Sequence, residues 1–152
     1  MNNLSFHITD ITANSIRANA SEIGLSVKEQ DTRIVIRITD NGSGMDAETA
    51  RRVTNTTRTT RKVGLGLPFL IQNAEQTGGS VTLTSEPGKG TEVRAVFHSD
   101  HIDCPPWGDL PGTVALLITG NPEINVCFEY RSGETGYSIS TNEIKEILDG
   151  VP

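Results

Sequence analysis

Residues 62 to 70 read Lys-Val-Gly-Leu-Gly-Leu-Pro-Phe-Leu, two glycines two positions apart at the head of an apolar run. A helix that starts there accepts glycine where it costs about 1 kcal/mol against alanine. Two readings account for this. Either a turn leads into a buried helix, or the backbone N–H groups around Gly64 and Gly66 are bared to receive an anion. The glycines alone do not separate the two, so the neighbouring residues must.

From Thr49 to Ala74 there is no acidic residue, while Arg51, Arg52, Arg58, Arg61 and Lys62 all fall in that stretch. A basic cluster is usually a solvated face. Set against Gly64 and Gly66, it reads better as a phosphate-facing loop. Thr54, Thr56, Thr57, Thr59 and Thr60 make the same stretch polar and poorly packed, so a mobile segment is expected over residues 54–63. This local reversal sits in a chain whose net charge is −6, which argues against non-specific nucleic-acid binding as the main task.

The 152 residues suffice for one globular domain with a small appendage, and 35% hydrophobic content suits a folded protein. No apolar run approaches the ~18–20 residues of a membrane span, so no membrane role is expected. Cys104 and Cys127 lie apart without metal-ligand spacing, and a reduced cytoplasmic setting is the expectation.

Residues 7–22 read as a helix with Ile8, Ile11, Ser15 and Ala18 on one stripe. Strands are expected over 24–30 and 33–40, joined by a polar turn at Asp31 and Thr32. In the second, Ile34, Ile36 and Ile38 face one way and Arg33, Arg37 and Thr39 the other. Asp46 is placed to cap a short helix running to about Val53. A longer helix is expected from about Gly66 to Thr77, with Pro68 in its first turn and Gly78-Gly79 at its end. Two more strands flank a Pro-Gly-Lys-Gly turn. After Asp100 the character changes. Residues 113–121 suit a helix or a strand, a hairpin is expected about Gly133 and Gly136, and Ser140 with Glu143 forms a capping box for a last helix. We therefore expect a main domain over residues 1–99 and an appendage over 100–152.

Three groups of residues carry chemistry. Asp10, Asn14 and Arg17 project from neighbouring turns of the first helix, beside its apolar stripe. Mediocre in a helix interior, such residues are most often plain solvent-facing positions. They also supply an amide oxygen for an ion, a carboxylate for a nucleophile and a cation for phosphate. Asp40 ends the isoleucine-rich strand, a fixed acceptor suited to the exocyclic N–H of a purine, with Gly42 and Gly44 letting the backbone turn closely. Asp-Asn-Gly is equally a common turn. Finally, Gly90 permits close approach and the Thr91 hydroxyl is placed to bond a base or a bound water.

Taken in order, Asp-Ile-Thr-Ala-Asn-Ser-Ile-Arg, Asp-Asn-Gly-Ser-Gly-Met, Val-Gly-Leu-Gly-Leu and Gly-Lys-Gly-Thr-Glu-Val resemble the motifs of the GHKL superfamily. This is the ATP-binding fold of gyrase, heat-shock chaperones, histidine kinases and MutL, and the resemblance covers about residues 7–98. It implies an α/β (α+β) two-layer sandwich: a mixed, mainly antiparallel sheet with helices on one face, here with a small C-terminal α/β appendage. It further implies that ATP and Mg²⁺ are bound. Asn14 matches the Mg²⁺-binding asparagine. Asp10 takes the position of the water-activating acid, usually glutamate. Arg17 resembles the basic residue that follows the asparagine in histidine kinases, and Asp40 the adenine-recognising aspartate, with Gly42 and Gly44 beneath the base. Gly64, Leu65 and Gly66 would open the helix N-terminus to phosphate, assisted by Arg61 and Lys62. Lys62 stands where the familiar pattern has its first glycine, and the lid is short.

The resemblance implies an ATPase or a nucleotide-responsive switch read by a protein partner, with a homodimer left open. With only six residues before His7, no phosphoacceptor hairpin is expected, and His7, His98 and His101 are read as incidental. The alternative is a protein kinase acting in trans on a partner, as in the anti-sigma-factor kinases.

Overall fold

The computed structural model describes residues 3–54 and 66–149. Helix α1 (Leu4–Arg17) leads into strands β1 (Glu22–Gln30) and β2 (Arg33–Asp40), then helices α2 (Ala47–Thr54) and α3 (Gly66–Gln76). Strands β3 (Ser80–Glu86) and β4 (Gly90–His98), helix α4 (Leu110–Gly120), strands β5 (Asn125–Ser132) and β6 (Thr135–Ser140), and helix α5 (Thr141–Asp149) complete the order.

The strands form one six-stranded sheet in the order β3-β4-β2-β1-β5-β6. Every pairing is antiparallel except β1 with β5, so the sheet is mixed and mainly antiparallel, as expected. Alternation explains its two faces. Cross-strand register aligns Val93, Ile38, Leu25 and Phe128 in one row and Ala95, Ile36 and Val27 in the next, all buried. These rows meet Leu4, Ile8 and Ile11 of α1, Leu67, Leu70 and Ala74 of α3, and Val114 and Leu117 of α4 in one core. Arg33, Arg37 and Thr39 point to the other face, where Arg37 pairs with Glu92 at 2.9 Å. Residues 113–120 settle as helix within α4, capped by Asp109, whose side chain accepts the Gly112 N–H at 3.0 Å.

The first helix corrects its expected bounds. It begins at Leu4, because the Asn3 side chain accepts the Phe6 N–H at 2.7 Å, and it ends at Arg17 rather than near residue 22. Asn19 adopts φ +63°, the left-handed conformation that closes a helix, and by Glu22 the chain is already in β1. The other ends follow the expected chemistry. Asp46 accepts the Thr49 N–H at 2.7 Å, Gly78 takes φ +83° while the Gly79 N–H reaches the Ala74 carbonyl at 3.0 Å, and Ser140 accepts the Glu143 N–H at 3.1 Å.

His7 is a core residue, 1% exposed, between α1 and α3. Asn73 Nδ2 lies 2.7 Å from its Nε2, Phe69 and Phe97 stand close to the ring, and Nδ1 has no partner among the described residues. Burial lowers its pKa to about 4. The unfolded chain, with an ordinary value near 6.5, therefore takes up this proton first as pH falls. Stability tied to neutral His7 is complete above about pH 6.5 and is lost toward pH 4, by at most about 1.4 kcal/mol per pH unit. Urea midpoints at pH 7, 5.5 and 4.5 should fall more steeply for the wild type than for His7→Gln, which takes up no proton. Parallel slopes would contradict it.

Candidate nucleotide site

A cleft of about 290 Å³ opens where the C-terminal end of α1 overhangs the ends of β2 and β4. Asn14, Ser15, Arg17 and Ala18 line it from the helix, Ile38 and Asp40 from β2, Thr91 and Val93 from β4, with Gly44, Met45, Leu67 and Leu83 around them. Its volume lies near the low end of the ~300–1,000 Å³ usual for small-molecule sites. Apolar walls with a few fixed polar groups suit a flat ring bearing a donor or two.

Asp40 is the polar end of an otherwise apolar arrangement. It faces Ile23 on one side and Thr91 on the other, in the row next to Leu25, Ile38 and Val93. Both carboxylate oxygens are held: the Ser15 hydroxyl donates to Oδ2 at 2.6 Å and the Gly42 N–H donates to Oδ1 at 2.9 Å. Two donors from different elements stop the carboxylate from turning, and each oxygen keeps a lone pair for a ligand.

The loop after Asp40 is tied on three sides. Asn41 Oδ1 accepts the N–H groups of Ser21 and Glu22 at 2.9 and 3.0 Å. The Ser43 N–H donates to the Ala18 carbonyl at 3.0 Å, and the Gly88 N–H donates to the Ser43 carbonyl at 2.7 Å. Glycine is required here by backbone proximity. A Cβ on Gly44, at φ +72°, would stand 1.9 Å from the Glu86 carbonyl oxygen, and one on Gly42 would stand 2.7 Å from the Ala18 Cβ. Asp40, Gly42, Gly44 and Thr91 thus come together as one corner.

On α1, Asn14 and Arg17 reach the cleft and bond each other, the guanidinium donating to Asn14 Oδ1. Asp10 lies one turn earlier, outside the residues that line the cleft. Its pKa is raised by burial, against the opposing pull of Arg17. Gly66 is the first residue of α3. Arg61, Lys62, Gly64 and Leu65 lie outside the described residues, as does nearly all of the expected lid over 54–63.

Ser15 and Ser85 escaped the sequence reading. Ser15 was one member of the apolar stripe, and its place directly after Asn14 was the only signal of its reach toward Asp40. Among the described residues, no group of three or more His, Cys, Asp or Glu side chains is arranged to hold a metal ion. Cys104 and Cys127 are both free thiols. No helix among the described residues is long and apolar enough to cross a membrane.

Residues 3–101 match the family described as histidine kinase-, DNA gyrase B- and HSP90-like ATPases. The chain belongs to this family. A putative sensor protein of Shewanella frigidimarina is 30% identical over 97 residues, which is 59% of this chain and 15% of that protein. The sensor histidine kinase YxdK of Bacillus subtilis is 27% identical over 104 residues, 62% of this chain and 32% of the kinase. This chain thus spans less than a third of the length of either relative. Among solved structures, the Aquifex aeolicus MutL ATPase domain, determined with ADP, superposes with a TM-score of 0.56 at 17% identity, over 98% of this chain and 68% of that one. The N-terminal domain of a DNA repair protein gives 0.55 at 18% identity, over 91% of this chain and 51% of that one. At these identities the structures share the GHKL fold with this ATPase-family chain.

Proposed function

We propose that this chain binds Mg·ATP in the cleft between α1 and the ends of β2 and β4, and acts as an ATPase or as a nucleotide-responsive switch. The observation that carries the reading is the immobilised Asp40 carboxylate lining a largely apolar cleft, beside Thr91. A base edge with an amino group satisfies such an acceptor without carrying a charge into the cleft.

Asn14 would hold the ion. Its amide oxygen already receives a guanidinium, so a cation at that atom fits the donor set, with phosphate oxygens and waters supplying the remaining ligands. Bound Mg²⁺ would neutralise phosphate charge. Arg17, drawn off Asn14, is free to pair with a phosphate oxygen. Asp10, with its pKa raised by burial, is nearer the range useful to a general base than an ordinary aspartate. Arg61, Lys62 and the backbone of Gly64, Leu65 and Gly66 complete the phosphate side of the reading. In this proposal residues 1–99 carry the groups that meet the nucleotide, and the expected appendage, 100–152, is joined to them through the β1–β5 pairing and the place of α4 in the common core. A protein partner in a cytoplasmic setting reads the nucleotide state.

Titration with ATP, ADP and GTP, with and without Mg²⁺, tests the proposal. Asn14→Ala should weaken Mg·ATP binding by about tenfold while changing metal-free nucleotide binding much less. Equal losses would remove Asn14 from the metal. Asp10→Asn should keep binding and abolish turnover, because an amide does not accept the proton. Free phosphate, a phosphorylated partner protein or unchanged ATP then separates hydrolysis, transfer in trans and switching.

A further inference from the structure

Ser85 stands at the end of β3, opposite Thr91 across the β3–β4 pair, and Thr91 in turn stands opposite Asp40. The Ser85 Oγ accepts the Met45 N–H at 2.8 Å, and it lies 2.7 Å from Thr91 Oγ1 and 3.1 Å from the Gly90 carbonyl oxygen. A serine hydroxyl has one proton and two acceptor positions. One assignment satisfies all three contacts together. Ser85 donates to the Gly90 carbonyl and accepts from both the Met45 N–H and the Thr91 hydroxyl. Thr91 then presents only lone pairs to the cleft.

We propose that Ser85 is a positioning residue of the nucleotide site, acting in two ways. It pins the loop that carries Gly44 and Met45, one wall of the cleft, onto the β3–β4 hairpin. It also accepts the hydrogen bond of the Thr91 hydroxyl, so that two acceptors, Asp40 and Thr91, stand side by side where the base edge arrives. An amino group satisfies that pair, whereas the carbonyl oxygen that guanine carries at the same position faces acceptors only. Ser85 thereby sets the preference of the site for adenine. This second role rests on the nucleotide reading above; the pinning of Met45 does not.

The test joins amide exchange of Met45 in the nucleotide-free protein with titrations of ATP and GTP. In Ser85→Ala the Met45 amide should exchange about three- to tenfold faster, and ATP affinity should fall by a similar factor. The ratio of ATP to GTP affinity should also narrow, because Thr91 regains a proton to offer a guanine carbonyl. Ser85→Thr, which keeps the hydroxyl, should restore all three. If Ser85→Ala does not fold, Ser85→Cys replaces it, since a thiol is a weak partner of similar shape. Unchanged Met45 exchange would overturn the tether. Faster exchange with wild-type affinity and wild-type base preference would overturn the positioning role. A wild type that binds neither nucleotide would overturn the nucleotide reading and the base-preference role with it, while Met45 exchange still decides the tether.

Discussion

Asp40→Asn should lower ATP affinity by about ten- to hundredfold, the cost of a lost charge-assisted hydrogen bond. The geometry says which atom changes. The Gly42 N–H only donates, so the amide oxygen of the variant must stay on that side, 2.9 Å away in the wild type. The new amide nitrogen takes the place of Oδ2, where the Ser15 hydroxyl can reverse and accept. The corner therefore keeps its shape while one acceptor becomes a donor and the negative charge disappears. Thermal stability should shift little. Calorimetric titration of wild type and variant with ATP and GTP measures the effect. A wild type that binds the two nucleotides alike would remove adenine recognition from Asp40.

Gly90→Ala should be the more damaging change, because it strikes fold and site together. Gly90 is buried with φ +130°, and a Cβ there would stand 2.0 Å from the Asp40 carbonyl oxygen. Left-handed strain and forced displacement each cost about 1–3 kcal/mol, so a loss of about 2–6 kcal/mol is expected. The residue displaced is Asp40 itself, so any variant that still folds should bind nucleotide poorly. Gly88 provides the control. It has φ +78° in the same hairpin, yet a Cβ there meets nothing within 4 Å. Gly88→Ala should cost only about 1–2 kcal/mol of backbone strain. Denaturation midpoints of the two variants decide the matter. Similar losses would mean that the contact with the Asp40 carbonyl does not constrain the fold.

Strand β2 was legible residue by residue, because isoleucine at every second position, with Arg33, Val35, Arg37 and Thr39 between, has one solution on a half-buried sheet. Asp40 was legible for a related reason: a carboxylate that closes such a strand, followed by Asn-Gly, keeps a fixed direction. The start of α1 was not. Its cap is a single Asn3 side chain, and the apolar stripe runs back to Leu4 without any break in composition. The Ser15 bond to Asp40 joins residues 25 positions apart, and the Ser85 bond to Met45 joins residues 40 apart. A lone hydroxyl has no periodicity, so contacts of that kind emerge only from tertiary packing. The pairing of β5 with β1 is another such case, since nothing local states which edge a hairpin will choose.

That parallel pairing also orders events in time. Strand β1 leaves the ribosome before the other strands of this sheet, and its hairpin partner β2 follows after two residues. Its second neighbour, β5, begins at Asn125, about a hundred residues later. Throughout that interval one edge of β1 offers unpaired N–H and C=O groups beside Ile23, Leu25 and Val27, the combination that invites wrong partners. Strands β3 and β4 give no relief there, because they add beyond β2 on the opposite side. The nascent chain thus carries a vacancy at the middle of its future sheet, and synthesis of residues 125–140 closes it.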